Sequence, residues 1–400
     1  MEIEVYGHCA SEFEPVREAF IRNFEGGFEV GAATSVVIDG ETVVDLWAGH
    51  ADAARTRPWT QDTIVHVMST TKGITALLVH RLVERGLIEL DAPVATYWPE
   101  FARAGKESLP VRYLLTHQAG LPALDAWQPA GTLQNWSAMT ELLAQQKPLW
   151  EPGHGFGYHA VTFGFLVGEV IRRASGKTVG QLIREEIAGP LAVDFELGFA
   201  GDQDHRVAEV LNSPPAPEGK VDLVKSITAD LKSVLSRGFV VAIPTPDTDF
   251  NSRKNRAHEL PSTNGHTNAR ALATIYGALA RGGRHGGVQL LSAESIARAT
   301  EKQVGGVESV MQADMHFGLG FGLRRPSHAV SGPRAFGHGG FGGSIGLADP
   351  DRKLGFGYVM NQFGLGSSEE FAKSTLPDAC PGDRRATDIL RAVYATLELR

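Results

Sequence analysis

Two runs rich in β-branched residues, GAATSVVI and ETVVDLWAG, lie either side of Asp39-Gly40 within residues 31–49. That arrangement predicts two strands joined by a tight hairpin. A similar pattern returns near the other end, where GSIGLADP and KLGFGYVMNQF flank a turn at Asp349-Pro350-Asp351-Arg352. Between these pairs the apolar period shifts to that of a helix. Residues 70–85 carry apolar positions on a helical spacing and stop at Gly86. Residues 160–174, ending near Gly176, and 178–188 form further helices. Another, over 268–281, starts at a capping Asn268 and stops at Gly282-Gly283. The closing run RRATDILRAVYATLELR reads as an amphipathic helix packed on a sheet. Strands at both ends with helices between predict an α+β fold: an antiparallel sheet built from the N- and C-terminal segments, flanked by helices and interrupted by a helical insertion. The sheet lobe is expected over 1–90 and 265–400, and the inserted lobe over 91–264. Residues 212–220 and 242–266, rich in Pro, Asn and Ser, read as long loops, a length often found lining functional sites.

A length of 400 residues fits two lobes, and 42% hydrophobic with 21% charged residues is enough to build a real core. The net charge of −8 argues against nucleic acid or an anionic membrane surface as the main partner. No apolar run is long enough to span a membrane, and the acidic start MEIEVYGHCASEFEPVREAF does not resemble a signal peptide. With only Cys9 and Cys380 there is no disulfide framework, so a reduced, cytoplasmic protein is expected. The fourteen histidines show no metal-ligand spacing, and His154 and His159 read as pocket-shaping residues; neither a metal nor a cofactor is expected.

Two serines compete for a catalytic role. Gly342-Gly343-Ser344-Ile345-Gly346 matches the G-x-S-x-G elbow, but that motif needs a helix after its serine and a histidine further on. Here a β-type run follows and no histidine lies beyond His338, so Ser344 is expected to be a decoy on a glycine-rich strand. Ser69 and Lys72 form an S-x-x-K tetrad where the β-type run TIVHVM meets a helix. A helix N-terminus favours an ionised hydroxyl and a developing oxyanion, and a desolvated lysine on the same face can take the serine proton. The plainer reading, Ser69 as a helix cap and Lys72 as a solvated residue, stands equally on local features.

Four stretches in order carry a resemblance: VMSTTKGITALLVHRLVERGLIELDAPVATYWPEF, VRYLLTHQAGLPAL, WEPGHGFGYHAVTFGFLVGEVIRRASGK and GHGGFGGSIG. Over roughly residues 25 to 365 the chain resembles the class C β-lactamase and penicillin-recognising serine hydrolases, especially the family VIII carboxylesterases. The resemblance implies a β-lactamase-like fold with the site between the lobes, Ser69 as nucleophile and Lys72 as proton acceptor. The family's Y-x-N maps onto Tyr158-His159-Ala160, making Tyr158 general base and later leaving-group acid. Its K-[ST]-G maps onto His338-Gly339-Gly340, and the N–H of Phe341 joins that of Ser69 in an oxyanion hole. His338, Gly339, Gly340, His159 and Trp127 are the expected substrate-binding residues.

Two departures bear on the substrate. Ala160 replaces the lactamase asparagine and His338 replaces the lysine, removing an amide and a permanent positive charge. Both favour small-molecule esters, whose leaving groups need less help than amines. The expected function is therefore a short-chain carboxylesterase working through an acyl-enzyme on Ser69. A β-lactamase, DD-peptidase or other amide hydrolase, or an acyltransferase, would use the same residues; a non-catalytic binding protein would merely keep the fold.

Overall fold

The computed structural model describes residues 3–212, 223–240, 245, 248–324, 330–364 and 384–399. A nine-stranded sheet dominates them: β1 (Val5–Cys9), β2 (Gly31–Ile38), β3 (Glu41–Gly49), β4 (Val304–Val307), β5 (Asp314–Phe317), β6 (Gly322–Leu323), β7 (Phe336–Gly339), β8 (Ile345–Asp349) and β9 (Leu354–Met360). Their spatial order is β1-β3-β2-β9-β8-β7-β6-β5-β4, every pair antiparallel. The two ends of the chain meet at the centre, where β2 pairs with β9 from Ala32↔Met360 to Ile38↔Leu354. The first hairpin turns through Asp39 and Gly40 at φ 50° and 92°. Positive φ at both central residues is what an Asp-Gly pair supplies to match the twist of the strands.

Helices cover both faces. On one side α1 (Glu14–Glu25) and α5 (Arg384–Glu398) enclose a core with Phe20, Leu347, Phe356 and Leu390. On the other, α4 (Ala269–Ala280) lies so close on β9 that a Cβ at Gly355 or Gly357 would stand 2.2 or 2.1 Å from a helix carbonyl. Next to it, α2 (Thr70–Glu84) is buried almost all round and packs against α3 (Thr162–Ser175) of the intervening helical segment. This is the β-lactamase-like fold.

Some local expectations change. The helix expected over 178–188 is a short α turn at Val179–Ile183 that widens into a π turn at Arg184–Ala188. The loop expected over 242–266 contains a helical turn, Arg253–Ala257, capped by Ser252, and its last residue begins the strand His266–Thr267 of a three-stranded sheet with Val65–His66 and Phe195–Glu196; residues 242–244, 246 and 247 lie outside the described residues. The loop expected over 212–220 lies, beyond Asn212, outside the described residues. No helix among the described residues is long and apolar enough to cross a membrane.

Candidate active site

Ser69 sits in a tight turn between the Val65–His66 strand and α2. The turn forces Met68, a buried non-glycine residue, to φ 45°, a left-handed conformation that costs energy and is retained most often at functional sites. α2 begins at Thr70, and the Lys72 N–H bonds the Ser69 carbonyl at 2.9 Å, bringing both side chains to one face. Lys72 is fully buried. Its Nζ lies 2.9 Å from Ser69 Oγ, 2.7 Å from the Ala160 carbonyl and 3.0 Å from the Ser262 carbonyl. Burial, with no carboxylate alongside, holds its pKa well below that of an ordinary lysine. In the neutral amine the two carbonyls keep two N–H donors, and the remaining lone pair faces the Ser69 hydroxyl. That arrangement can accept the serine proton.

Tyr158 enters from the segment just before α3. Its backbone N–H donates to Oε2 of Glu308 at 2.8 Å, and its ring lies among His117, Phe239, Phe317 and His338. Lys72 Nζ stands 4.9 Å from the ring centroid. Burial raises the phenol pKa, the Ser69 hydroxyl pulls it back, and the Glu308 charge raises it further. Tyr158 Oη completes no hydrogen bond among the described residues, so the phenol stays available beside Ser69. Glu308, itself fully buried, also accepts from the N–H groups of Val310 and Met311, fastening the β4–β5 hairpin to Tyr158. Neither Glu308 nor His117, whose Nδ1 accepts from the His159 N–H at 3.1 Å, was expected from the sequence. Each is a lone residue in no motif, and only the tertiary fold reveals its contacts.

The stretch GHGGFGGSIG supplies the opposite wall. β7 ends at Gly339, and a turn closed by Gly340 N–H to the Ser344 carbonyl at 2.7 Å carries Phe341. Gly340 passes so close to the serine turn that a Cβ there would stand 2.3 Å from the Val67 carbonyl. The N–H groups of Ser69 and Phe341 have no acceptor among the described residues. His338 is buried, and its Nδ1–H donates to the Gly339 carbonyl at 2.8 Å. Burial and then the Lys72 charge lower its pKa to about 3, so the imidazole is neutral near pH 7. Strand β8 follows Ser344, with no helix of the kind an elbow serine requires.

The structure thus gathers Ser69, Lys72, Tyr158 and His338. It does not turn the His159 nitrogens toward them: Nδ1 donates to the Gly157 carbonyl at 2.6 Å and Nε2 accepts from the Leu121 N–H at 2.9 Å. Trp127 lines a mostly apolar cavity of about 170 Å³, its Nε1 fixed on the Leu231 carbonyl at 2.6 Å. None of Ser69, Lys72 and Tyr158 lines that cavity. Val161 and Val240 do, and each adjoins a site residue, Ala160 held by Lys72 and Phe239 against Tyr158. No cluster of three or more His, Cys, Asp or Glu suited to a metal occurs among the described residues.

A β-lactamase-like fold that sets a serine, a buried lysine and a tyrosine around one helix start defines a serine hydrolase. Residues 20–376 match the Beta-lactamase family, and the chain belongs to it. It is 36% identical over 368 residues to "Esterase/beta-lactamase LipL" of Mycobacterium tuberculosis, covering 90% of this chain and 83% of that one. A crystal structure of a family VIII carboxylesterase superposes with a TM-score of 0.86 at 40% identity, covering 98% of this chain and all (100%) of that one. A penicillin-binding protein homologue from Caulobacter crescentus gives 0.84 at 36% identity, with 98% and 100% covered.

Proposed function

We propose that this protein is a carboxylesterase acting on short-chain esters, with its site in the cleft between the lobe formed by 1–90 and 265–400 and the lobe formed by 91–264. Ser69 attacks the ester carbonyl while Lys72 and Tyr158 take its proton and return it to the leaving alkoxide. The amides of Ser69 and Phe341 hold the oxyanion, and water then cleaves the acyl-enzyme. The carrying observation is the 2.9 Å contact between Ser69 Oγ and a fully buried Lys72 whose other partners are backbone carbonyls. A lysine held that way is a base rather than a surface charge.

Preference for esters rests on the two departures. Ala160 brings no side-chain amide where the lactamase pattern has an asparagine, leaving only its backbone carbonyl on Lys72, and His338 is neutral where that pattern has a lysine. A substrate carboxylate would meet no fixed charge at His338. His338, Gly339 and Gly340 form the strand wall of the proposed substrate cleft. His159, held by Gly157 and Leu121, supports that cleft from behind. We place an acyl chain toward the Trp127 cavity, whose volume of about 170 Å³ is near that of an apolar cavity able to hold benzene and so suits up to about six carbons.

The test is a panel of p-nitrophenyl esters of graded acyl length beside nitrocefin. Acetyl to hexanoyl esters are expected to exceed nitrocefin at least about a hundredfold in kcat/KM, equivalent to roughly 2.7 kcal/mol of transition-state discrimination. Comparable efficiencies would instead support a lactamase.

A further inference from the structure

Ser344 has no part in the chemistry proposed above, yet its hydroxyl is buried and fully engaged. Ser344 Oγ donates to the Val67 carbonyl at 2.7 Å and accepts from Thr70 Oγ1 at 3.0 Å. Thr70 Oγ1 also reaches the Ser344 carbonyl at 3.2 Å, and that carbonyl accepts the Gly340 N–H at 2.7 Å. The pattern of positions is specific. Val67 and Thr70 bracket Ser69 on one turn, while Gly340 and Ser344 bracket Phe341 on the other. The segments are more than 260 residues apart in sequence, as the 274-residue separation of Thr70 and Ser344 shows. These side-chain bonds therefore tie together the two turns that carry the N–H groups of Ser69 and Phe341, which meet no acceptor among the described residues.

We propose that Ser344 is a positioning residue: its hydroxyl, with that of Thr70, fixes the separation of the two oxyanion-binding amides. This rests on the reading of Ser69 and Phe341 as the oxyanion hole. Strand packing alone does not account for the hydroxyl, because an alanine would fill the same space without reaching Val67 or Thr70. Fixed geometry matters here because donors stabilise the transition state only where they already point at the developing charge; removing one outright typically costs a hundred- to thousandfold in kcat. A displaced donor should cost less. The glycines serve the same approach, since a Cβ at Gly340 would stand 2.5 Å from Ser344 Oγ.

The experiment compares Ser344→Ala, Thr70→Val, Thr70→Ser and Ser69→Ala in the full chain. It uses p-nitrophenyl butyrate turnover and inhibition by phenylboronic acid, which forms a tetrahedral adduct on a nucleophilic serine. Ser344→Ala is expected to lower kcat about ten- to a hundredfold with KM within about twofold, and to weaken boronate inhibition by the same factor as kcat/KM. Thr70→Val, which keeps the shape but not the hydroxyl, should show the same split to a smaller degree, and Thr70→Ser should stay near native. A folded Ser344→Ala with kcat and boronate inhibition within about twofold of native, beside an inactive Ser69→Ala, overturns the positioning role and leaves the function standing. A loss carried by KM, or one that boronate affinity does not follow, also overturns it. Full turnover in Ser69→Ala would remove the site reading itself. Should Ser344→Ala fail to fold, Thr70→Val decides alone: unchanged kcat and boronate inhibition reject the proposal.

Discussion

Acid should unfold this protein steeply, because six buried histidines are held neutral. His159, His266 and His338 have pKa values lowered to about 3 and His80 to about 4, while His66 and His117 lie well below the ordinary value; burial is the leading cause in every case. In the unfolded chain each returns to about 6.5. Between about pH 6.5 and pH 4 the unfolded state therefore binds more protons, so the stability present above that window is lost as pH falls. Each proton contributes about 1.4 kcal/mol per pH unit, so six give an upper slope of about 8 kcal/mol per unit. Asp45 and Glu196, whose pKa values burial raises, oppose this weakly at the acid end of the window. A domain stable by about 5–15 kcal/mol would then unfold between about pH 6 and 4.5 without denaturant. Urea titrations followed by tryptophan fluorescence at pH 8, 7, 6 and 5.5 measure the slope. A fall corresponding to fewer than about two protons between pH 6 and 5.5 would refute the reasoning, since most of these imidazoles would then be protonated in the folded protein.

Lys72→Met and Tyr158→Phe should each lower ester kcat about a thousandfold or more, with the double variant scarcely worse, because groups acting as one unit fail together. In the native enzyme kcat/KM should fall as acid protonates the lysine–tyrosine pair, and urea titration at each pH separates that loss from unfolding. Near-native kcat in Tyr158→Phe with an unchanged pH profile would make Tyr158 a packing residue. Glu308→Ala should destabilise the fold by about 3 kcal/mol or more, because it strands the N–H groups of Tyr158, Val310 and Met311. Glu308→Gln, which keeps an acceptor oxygen, should lose less in the same urea titration.

What the sequence revealed follows the range of the interaction. Asp39-Gly40 and the period change at Thr70 act within a few residues, so the first hairpin and the helix carrying Lys72 were legible. The edge strand β4 and the short interior strand β6 were not: VGGV and Gly322–Leu323 have no periodicity, and pairing to neighbours makes them strands. Ser69 and Lys72 are three residues apart on one helix start, so their proximity could be read locally. Tyr158 reaches them only through packing of α3 against α2, and it was found by resemblance to a motif. Glu308 had no signal at all. Its three backbone partners exist only after the β4–β5 hairpin closes on the segment before α3.

The substitutions at residues 160 and 338 are best understood together, through what a buried lysine needs. Lys72 must stay deprotonable in a fully buried place, and each of its neighbours affects that. A second permanent cation at residue 338 would help depress the lysine but would itself have to be buried, at a cost that only a bound anion offsets. The neutral His338 avoids that cost, in keeping with the proposed preference for uncharged esters. At residue 160 the backbone carbonyl holds one lysine N–H whatever the side chain, and the alanine adds no amide that could donate to Ser69 Oγ. A neutral ester needs only a nucleophile, a proton carrier and two amides. On the proposed reading, the arrangement at Ser69 supplies those groups and little that would selectively stabilise a charged lactam.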